Sequence, residues 1–222
     1  MFLEIPDLLT PSEVERLRAL GNVLKFVDGR VSNPHSTIKN NLQLDYADPG
    51  YKESAQMMHQ ALLRSEEMRN FAFPKMVAPP LLTKYQPGMN YGAHSDAAFL
   101  PIGNRPLRSD MSCTIFLNEP ETYDGGELSV KLGTREIDFK LKPGGAIVYP
   151  STTIHQVKPV TRGERLCGIT FMESMIVDQT CRELLWQLNE VKALESDKMD
   201  WENRTRLSYV SESLYRLWGD AG

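Results

Sequence analysis

Histidine and cysteine are scarce in this chain. Four histidines (His35, His59, His94 and His155) and three cysteines (Cys113, Cys167 and Cys181) are all that its 222 residues hold, so imidazole and thiolate chemistry has few side chains to draw on. No two cysteines form a C-x-x-C unit, which excludes the usual zinc-ribbon and thiol-exchange motifs. Reduced, packed thiols are expected. Long hydrophobic runs are missing as well: no stretch approaches the roughly 18 apolar residues of a membrane span, so no membrane is expected as a partner. The opening segment MFLEIPDLLTPSEVE puts Glu4, Pro6 and Asp7 where a secretory leader needs a basic end and an apolar run. A cytoplasmic protein is expected. Positive charge is not in excess either. With 25 Lys and Arg against 29 Asp and Glu, the net charge of −4 and the lack of a basic run leave no reason to expect nucleic acid as a partner.

What remains is an ordinary globular composition, 41% hydrophobic and 24% charged. Thr10, Pro11 and Glu13 form a capping box with proline at the first helical position, and Leu9 can staple onto Val14. The apolar stripe then runs through Leu17 and Leu20 to Gly21. A second helix is predicted from Tyr51 to about Asn70, with Tyr51, Ala55, Met58 and Leu62 on its inner face. From about Leu81 the texture changes to short strand-like runs: LLTKYQ, SCTIFLN, ELSVKL, REIDFKL, GAIVYP and RLCGITFM. Turn residues separate them, among them Asp124-Gly125-Gly126 and Gly133-Thr134. Ile137, Phe139 and Leu141 alternate with polar neighbours and predict a half-buried strand. After about Ser174 helical spacing returns: Leu184, Leu188 and Val191 share one stripe, Val210, Leu214 and Leu217 another, with ESDKMDWENRT between them read as a loop. The expected layout is mainly β, with helices at both ends bracing one sandwich.

His94-Ser95-Asp96 places an imidazole and a carboxylate two residues apart, so on extended backbone both leave the same face. By chance such a pair arises roughly 0.2 times in a chain of this composition, so it needs support. His155 offers it, directly after the strand-like AIVYP. Two imidazoles and a carboxylate on one face of an ion leave about three positions open, the arrangement of non-haem Fe(II) oxygenases, whereas a structural zinc site wants a fourth protein ligand. Taken singly, each histidine is equally readable as a packed ring on a β edge. Arg165 follows ten residues after His155 and opens RLCGITFM, where Arg165, Cys167, Ile169 and Phe171 share a face. A guanidinium buried there must be paired, and its fork suits a carboxylate. A dicarboxylate ligand or an internal salt bridge to Glu127 or Asp124 would pair it, and the alternative is an arginine at a strand end facing water.

The segments LTKYQPGMNYGAHSD, YDGGELSV and PGGAIVYPSTTIHQVKPVTRGER together resemble the Fe(II)- and 2-oxoglutarate-dependent dioxygenases of the prolyl 4-hydroxylase type. The chain is most similar to the bacterial PKHD-type hydroxylase branch, often found beside iron-uptake functions. IPDLLTPSEVERLR, VDGR and KNNLQ extend the resemblance through the first third, and the combined pattern Y-x5-Y-x2-H-x-D with a distal H-x9-R is far more specific than any piece of it.

The resemblance implies a double-stranded β-helix (jelly-roll) core over 78–175, an N-terminal helical and β support region over 1–77 and a C-terminal helical appendage over 176–222. It implies that His94, Asp96 and His155 bind Fe(II), that Arg165 grips the distal carboxylate of 2-oxoglutarate, and that Tyr85 hydrogen-bonds the same carboxylate. Tyr91 matches a family position that lines the site. The implied activity is hydroxylation of an unactivated C–H bond coupled to decarboxylation of 2-oxoglutarate to succinate and CO2, with L-ascorbate as the expected reductant. The substrate, a small molecule or peptide, is not readable, and a homo-oligomer is left open. A noncatalytic jelly-roll that binds metal or 2-oxoglutarate as a sensor or scaffold is the alternative. Lys39, Asn40, Asn41 and Gln43 form a polar cluster read either at the mouth of the site or as a solvated turn. Arg105 and Arg108 are read either as meeting an acidic substrate or as exposed.

Overall fold

In the computed structural model, which describes residues 1–220, the Thr10 side chain accepts from Glu13 N while Glu13 accepts from Thr10 N, closing the capping box of α1 (Pro11–Val23). The predicted second helix is two. α2 (Gly50–Arg64) stops at Ser65, whose extended backbone and hydroxyl, accepting from Met68 N at 3.2 Å, start α3 (Glu66–Ala72). A serine followed by two glutamates is itself a helix-start signal, and the apolar stripe that suggested one helix ends at Leu62.

The strands form two main sheets. The larger runs Leu3–Ile5, Ala146–Pro150, Met111–Phe116, Arg165–Ser174, Leu81–Tyr85, Leu42–Leu44 and Phe26–Asp28, with Pro74–Val77 also pairing the long Arg165–Ser174 strand. The smaller runs Arg135–Phe139, Leu128–Leu132, His155–Val157, Asn90–His94 and Lys39–Asn40. The larger sheet is buried on both faces, which is why its strands read as continuous apolar runs. On the strand Ala146–Pro150, Ala146 and Val148 join the helix-facing cluster with Leu17, Met58, Leu62 and Phe71, whereas Ile147 and Tyr149 join Phe116, Leu128 and Val130 on the side of the smaller sheet. Met58 is fully buried as core filling, with its sulfur lying where a side chain on Gly168 would stand. The jelly-roll expectation and the flanking helices are both found.

Three local expectations are corrected. On the edge strand Arg135–Phe139 only Phe139 is buried, and Ile137 is exposed because nothing packs outside that edge. Between the C-terminal helices α4 (Gln179–Glu195) and α5 (Trp201–Trp218) the loop is shorter than the polar run suggests: Asp200 accepts from Asn203 N at 2.9 Å, and WENRT is already helical. The stripes read on these helices lie mostly off the core, with Leu214 the member that packs inward. Leu184, Val191, Val210 and Leu217 are exposed, while Leu185, Trp186, Leu214 and Tyr215 pack with Phe73 and Ile176. All three cysteines are free thiols, as expected.

Glycines in the turns differ in what they tolerate. Gly125 has φ +72°, and a Cβ there would lie 1.9 Å from Pro159 O, whereas Gly133 has φ +61° with nothing within 4 Å. Gly133→Ala is therefore expected to cost about 1 kcal/mol of unfolding free energy, the left-handed penalty alone. Gly125→Ala is expected to cost at least about 2 kcal/mol, because backbone must also move. Urea unfolding of the two variants checks the order.

Candidate active site

The smaller sheet brings the distant histidines together. His155 and His94 are register partners across neighbouring strands, with an irregularity between His155 and Val157. Their rings lie 4.3 Å apart. Asp96 follows just beyond the strand end, its N–H donating to Ser151 O at 3.1 Å. Asp96 Oδ1 then stands 3.9 Å from His94 Nε2 and 3.8 Å from His155 Nε2. The three donor atoms all lie within 4.8 Å of one another, close enough to converge on a single ion. Among the described residues this is the one cluster of three or more His, Cys, Asp or Glu side chains arranged to hold a metal ion.

The donor atoms are oriented by their neighbours. His94 Nδ1 lies 2.8 Å from Gly92 O and His155 Nδ1 3.0 Å from Thr153 O. A carbonyl only accepts, so each Nδ1 carries the proton and each Nε2 presents a lone pair. Burial, and next the adjacent His155, hold the His94 imidazole below its ordinary pKa, which keeps it neutral at neutral pH. The Tyr91 ring stacks on His94 at 3.7 Å and fixes its plane. Ser112 donates to Asp96 Oδ2, and a hydroxyl chain continues from Ser112 to Ser151 at 2.7 Å and from Ser109 to Ser151 at 2.8 Å. One carboxylate oxygen is thereby anchored and the other left facing the imidazoles.

Arg165 and Tyr85 come from the larger sheet, where they are register partners. Arg165 is 1% exposed, which removes the reading of a strand-end arginine in water. The internal salt bridge is removed too. Asp124 is held by Arg162, Glu127 faces Lys140 at 4.0 Å, and among the described residues no carboxylate pairs with Arg165. Its guanidinium lies 5.0 Å from the Tyr85 ring centre and 5.7 Å from that of Phe116, and Nη1 contacts Cys167 Sγ at 2.8 Å. Nε has no hydrogen-bond partner. A buried guanidinium left in that condition costs several kcal/mol, so the pocket is built to receive an anion. Burial raises the Tyr85 pKa against the pull of Arg165 and of a hydrogen bond with Asn41, so the phenol stays protonated and able to donate.

All five residues line one cavity of about 540 Å³, together with Tyr91, Ser112, Leu128 and Val157. The polar cluster of the first third divides. Lys39 lines this cavity, while Asn41 and Gln43 are buried, not on a solvated turn. Arg105 and Arg108 do not line it: they lie on the second strand of a hairpin whose first strand does, Arg105 bound to Glu173 at 2.9 Å and Arg108 to Asp110 at 2.8 Å. The serines behind Asp96 were missed in sequence. Their signal was slight: Ser112 is a small polar residue inside the apolar run of Met111–Phe116, and Ser151 follows AIVYP directly.

Residues 80–173 match the 2OG-Fe(II) oxygenase superfamily. A PKHD-type hydroxylase of Sphingopyxis alaskensis is 50% identical over 215 residues, covering 97% of this chain and 98% of that protein. Another from Janthinobacterium sp. is 38% identical over 223 residues, with 98% and 99% covered. Among solved structures, a Pseudomonas putida prolyl-4-hydroxylase aligns over 78% of this chain and 92% of its own, with TM-score 0.54 and 21% identity. A viral collagen prolyl hydroxylase from Paramecium Bursaria Chlorella virus-1 aligns over 78% and 95%, with TM-score 0.53 and 18% identity. At those identities the structural likeness carries the fold alone, and the sequence relatives carry the family. With near-complete coverage at 50% identity, the chain belongs to the PKHD-type hydroxylases, 2-oxoglutarate-dependent enzymes of the 2OG-Fe(II) oxygenase superfamily.

Proposed function

We propose that His94, Asp96 and His155 hold Fe(II), and that Arg165 and Tyr85 hold the distal carboxylate of 2-oxoglutarate, so that the chain hydroxylates a C–H bond of a small-molecule or peptide substrate. The observation that carries this reading is the shared cavity. Three donors able to serve one ion and a buried guanidinium without an anion face the same space. Iron and 2-oxoglutarate, when bound, supply the oxidising chemistry by which O2 is consumed, CO2 and succinate leave and the substrate gains a hydroxyl.

The chain's own residues bind, orient and exclude water. Gly92 O and Thr153 O fix the imidazole tautomers, and Ser112 turns Asp96 so that its free oxygen faces the ion. His94, Asp96 and His155 would hold the ion through three protein donors and leave room for the cosubstrate beside it. The fork of Arg165 suits the two oxygens of a carboxylate, and the Tyr85 hydroxyl adds a donor. Val157, Leu128 and Ile169 give that end of the cavity apolar walls, in which each of these charge-assisted bonds is stronger than in water. L-Ascorbate as reductant and a setting in iron uptake belong to the proposal on family resemblance only.

Fe(II)-dependent release of CO2 from 2-oxoglutarate by the purified protein tests the reading, and its absence in freshly reconstituted enzyme would overturn it. Replacing His94, Asp96 or His155 by alanine is expected to drop bound iron to background with the thermal melt retained. Ser112→Ala, which frees the second carboxylate oxygen, is expected to weaken metal affinity or activity by about 10- to 100-fold.

For the cosubstrate, Arg165→Met removes two charge-assisted bonds and is expected to raise the KM for 2-oxoglutarate about 100-fold. Tyr85→Phe removes one donor and is expected to raise it about fivefold. Initial rates of succinate formation against 2-oxoglutarate concentration give both numbers, and equal effects of the two substitutions would argue against the assigned roles.

A further inference from the structure

The cavity holds one more cation, and nothing in the site reading uses it. Lys39 lies on the outer strand of the smaller sheet, directly opposite Tyr91. Its ammonium donates to Ser32 Oγ at 2.7 Å and stands 5.5 Å from the centre of the Tyr91 ring, the ring that stacks on His94. Lys39 is half-buried, and among the described residues no carboxylate lies within 4.0 Å of its nitrogen. The two nearest acids are committed elsewhere: Asp28 to Arg30, Asp96 to Ser112 and the imidazoles. Burial lowers the pKa of this lysine, against the more distant attraction of Asp28 and Asp96.

Apart from the histidines and Arg165, Lys39 is the only basic residue among the described residues that line the cavity. The rest of the wall away from the ligands is largely apolar, with Leu100, Pro101 and Ile102 contributing. Arg105 and Arg108, the arginines that sequence suggested for an acidic substrate, are tied to Glu173 and Asp110. An uncompensated ammonium at the border of an apolar cavity gains most from a ligand that brings the missing anion.

We infer that Lys39 is a specificity-determining residue whose ammonium receives a carboxylate of the substrate, which makes that substrate an organic acid with an apolar body. The inference rests on the reading of this cavity as the hydroxylation site. Two sources of such a carboxylate are a free small acid and the C-terminus of a peptide. A neutral substrate of the same shape binds less well, because it leaves Lys39 without an anion.

The test uses the full chain, saturated anaerobically with Fe(II) and 2-oxoglutarate so that the Arg165 pocket is filled. It is equilibrated with matched pools of N-acetyl amino acids and N-acetyl tripeptides, each as free acid and as carboxamide. Retained compounds are quantified by mass spectrometry after ultrafiltration. The wild-type protein is expected to retain acids over the matching amides by about tenfold or more, in one pool or both, with the pool identifying the source. Lys39→Met is expected to erase that preference and Lys39→Arg to keep it. Lys39→Gln, which preserves a donor to Ser32, carries the comparison if the methionine variant melts early. Equal retention of acids and amides by the wild type, including retention of neither, overturns the inference, as does a preference that survives in Lys39→Met and Lys39→Gln. Iron and 2-oxoglutarate are counted in the same samples. Their absence sinks the site reading itself, whereas their presence without acid preference sinks only the role of Lys39.

Discussion

The register that sets His155 against His94 is the constraint on which the site rests. Strand side chains alternate with period two, so a slip of one residue would turn an imidazole from the cavity to the opposite face of the sheet. Two features hold the register. Leu128 pairs Val157 and Val130 pairs His155 on the neighbouring strand, and both Leu128 and Val130 are buried against Phe116, Ile147 and Tyr149 of the larger sheet. Packing between the sheets therefore fixes the positions of the ligands: the apolar residues cannot keep their places in the core unless the histidines keep theirs in the cavity.

The larger sheet plays a different part. Burial on both faces gives it rigidity, and its alternation sends Leu166 and Met172 to the helices while Arg165 and Ile169 border the cavity. A charge in such a place is destabilising unless a ligand relieves it. The pocket around Arg165 contains two aromatic faces, a thiol and a phenol, but no carboxylate among the described residues. An internal acid would have neutralised the guanidinium and abolished its use. Stability is sacrificed locally for affinity, and the helix-packed face opposite, with Leu17, Met58, Leu62 and Phe71 fully buried, supplies the core that tolerates the loss.

Much of this was legible in the residues, and the rest was not for identifiable reasons. The capping box of α1 is a local signal and holds locally. The triad was legible because H-x-D is short, because His155 follows a strand-like run, and because the flanking motifs resemble a family. Ser112 and Ser151 were not, since a small hydroxyl in a strand has no signature until the carboxylate it touches is placed. The break at Ser65 was missed because the stripe of Tyr51, Ala55, Met58 and Leu62 was extended past its end, although the next positions in phase, Ser65, Glu66 and Arg69, are polar. The exposed stripes of α4 and α5 show the opposite error: Leu184 and Val191 share a helical face, but the core lies along Leu185 and Trp186, and periodicity alone does not say which of two adjacent stripes faces in. Arg105 and Arg108 stayed ambiguous for a similar reason, because sequence gives the charge and only the fold gives the partner.

Charge along the cavity is ordered. Arg165 lies on the larger sheet beside Tyr85, the three side chains placed to hold a metal ion, His94, Asp96 and His155, gather at the end of the Asn90–His94 strand, and Lys39 sits on the outermost strand beyond them. Two cations on different sheets, with a divalent ion's ligands in the same cavity, give two acids distinct places to bind. The deep guanidinium, beside the Tyr85 and Phe116 rings, suits a planar carboxylate in two-point contact, and the ammonium of Lys39, a compact charge on a flexible stem, accepts an acid of less defined shape. That asymmetry allows one cosubstrate to be fixed while the other partner varies. It also locates selectivity for the substrate on Lys39 and the apolar wall of Leu100, Pro101 and Ile102, away from the residues that the oxidative chemistry needs.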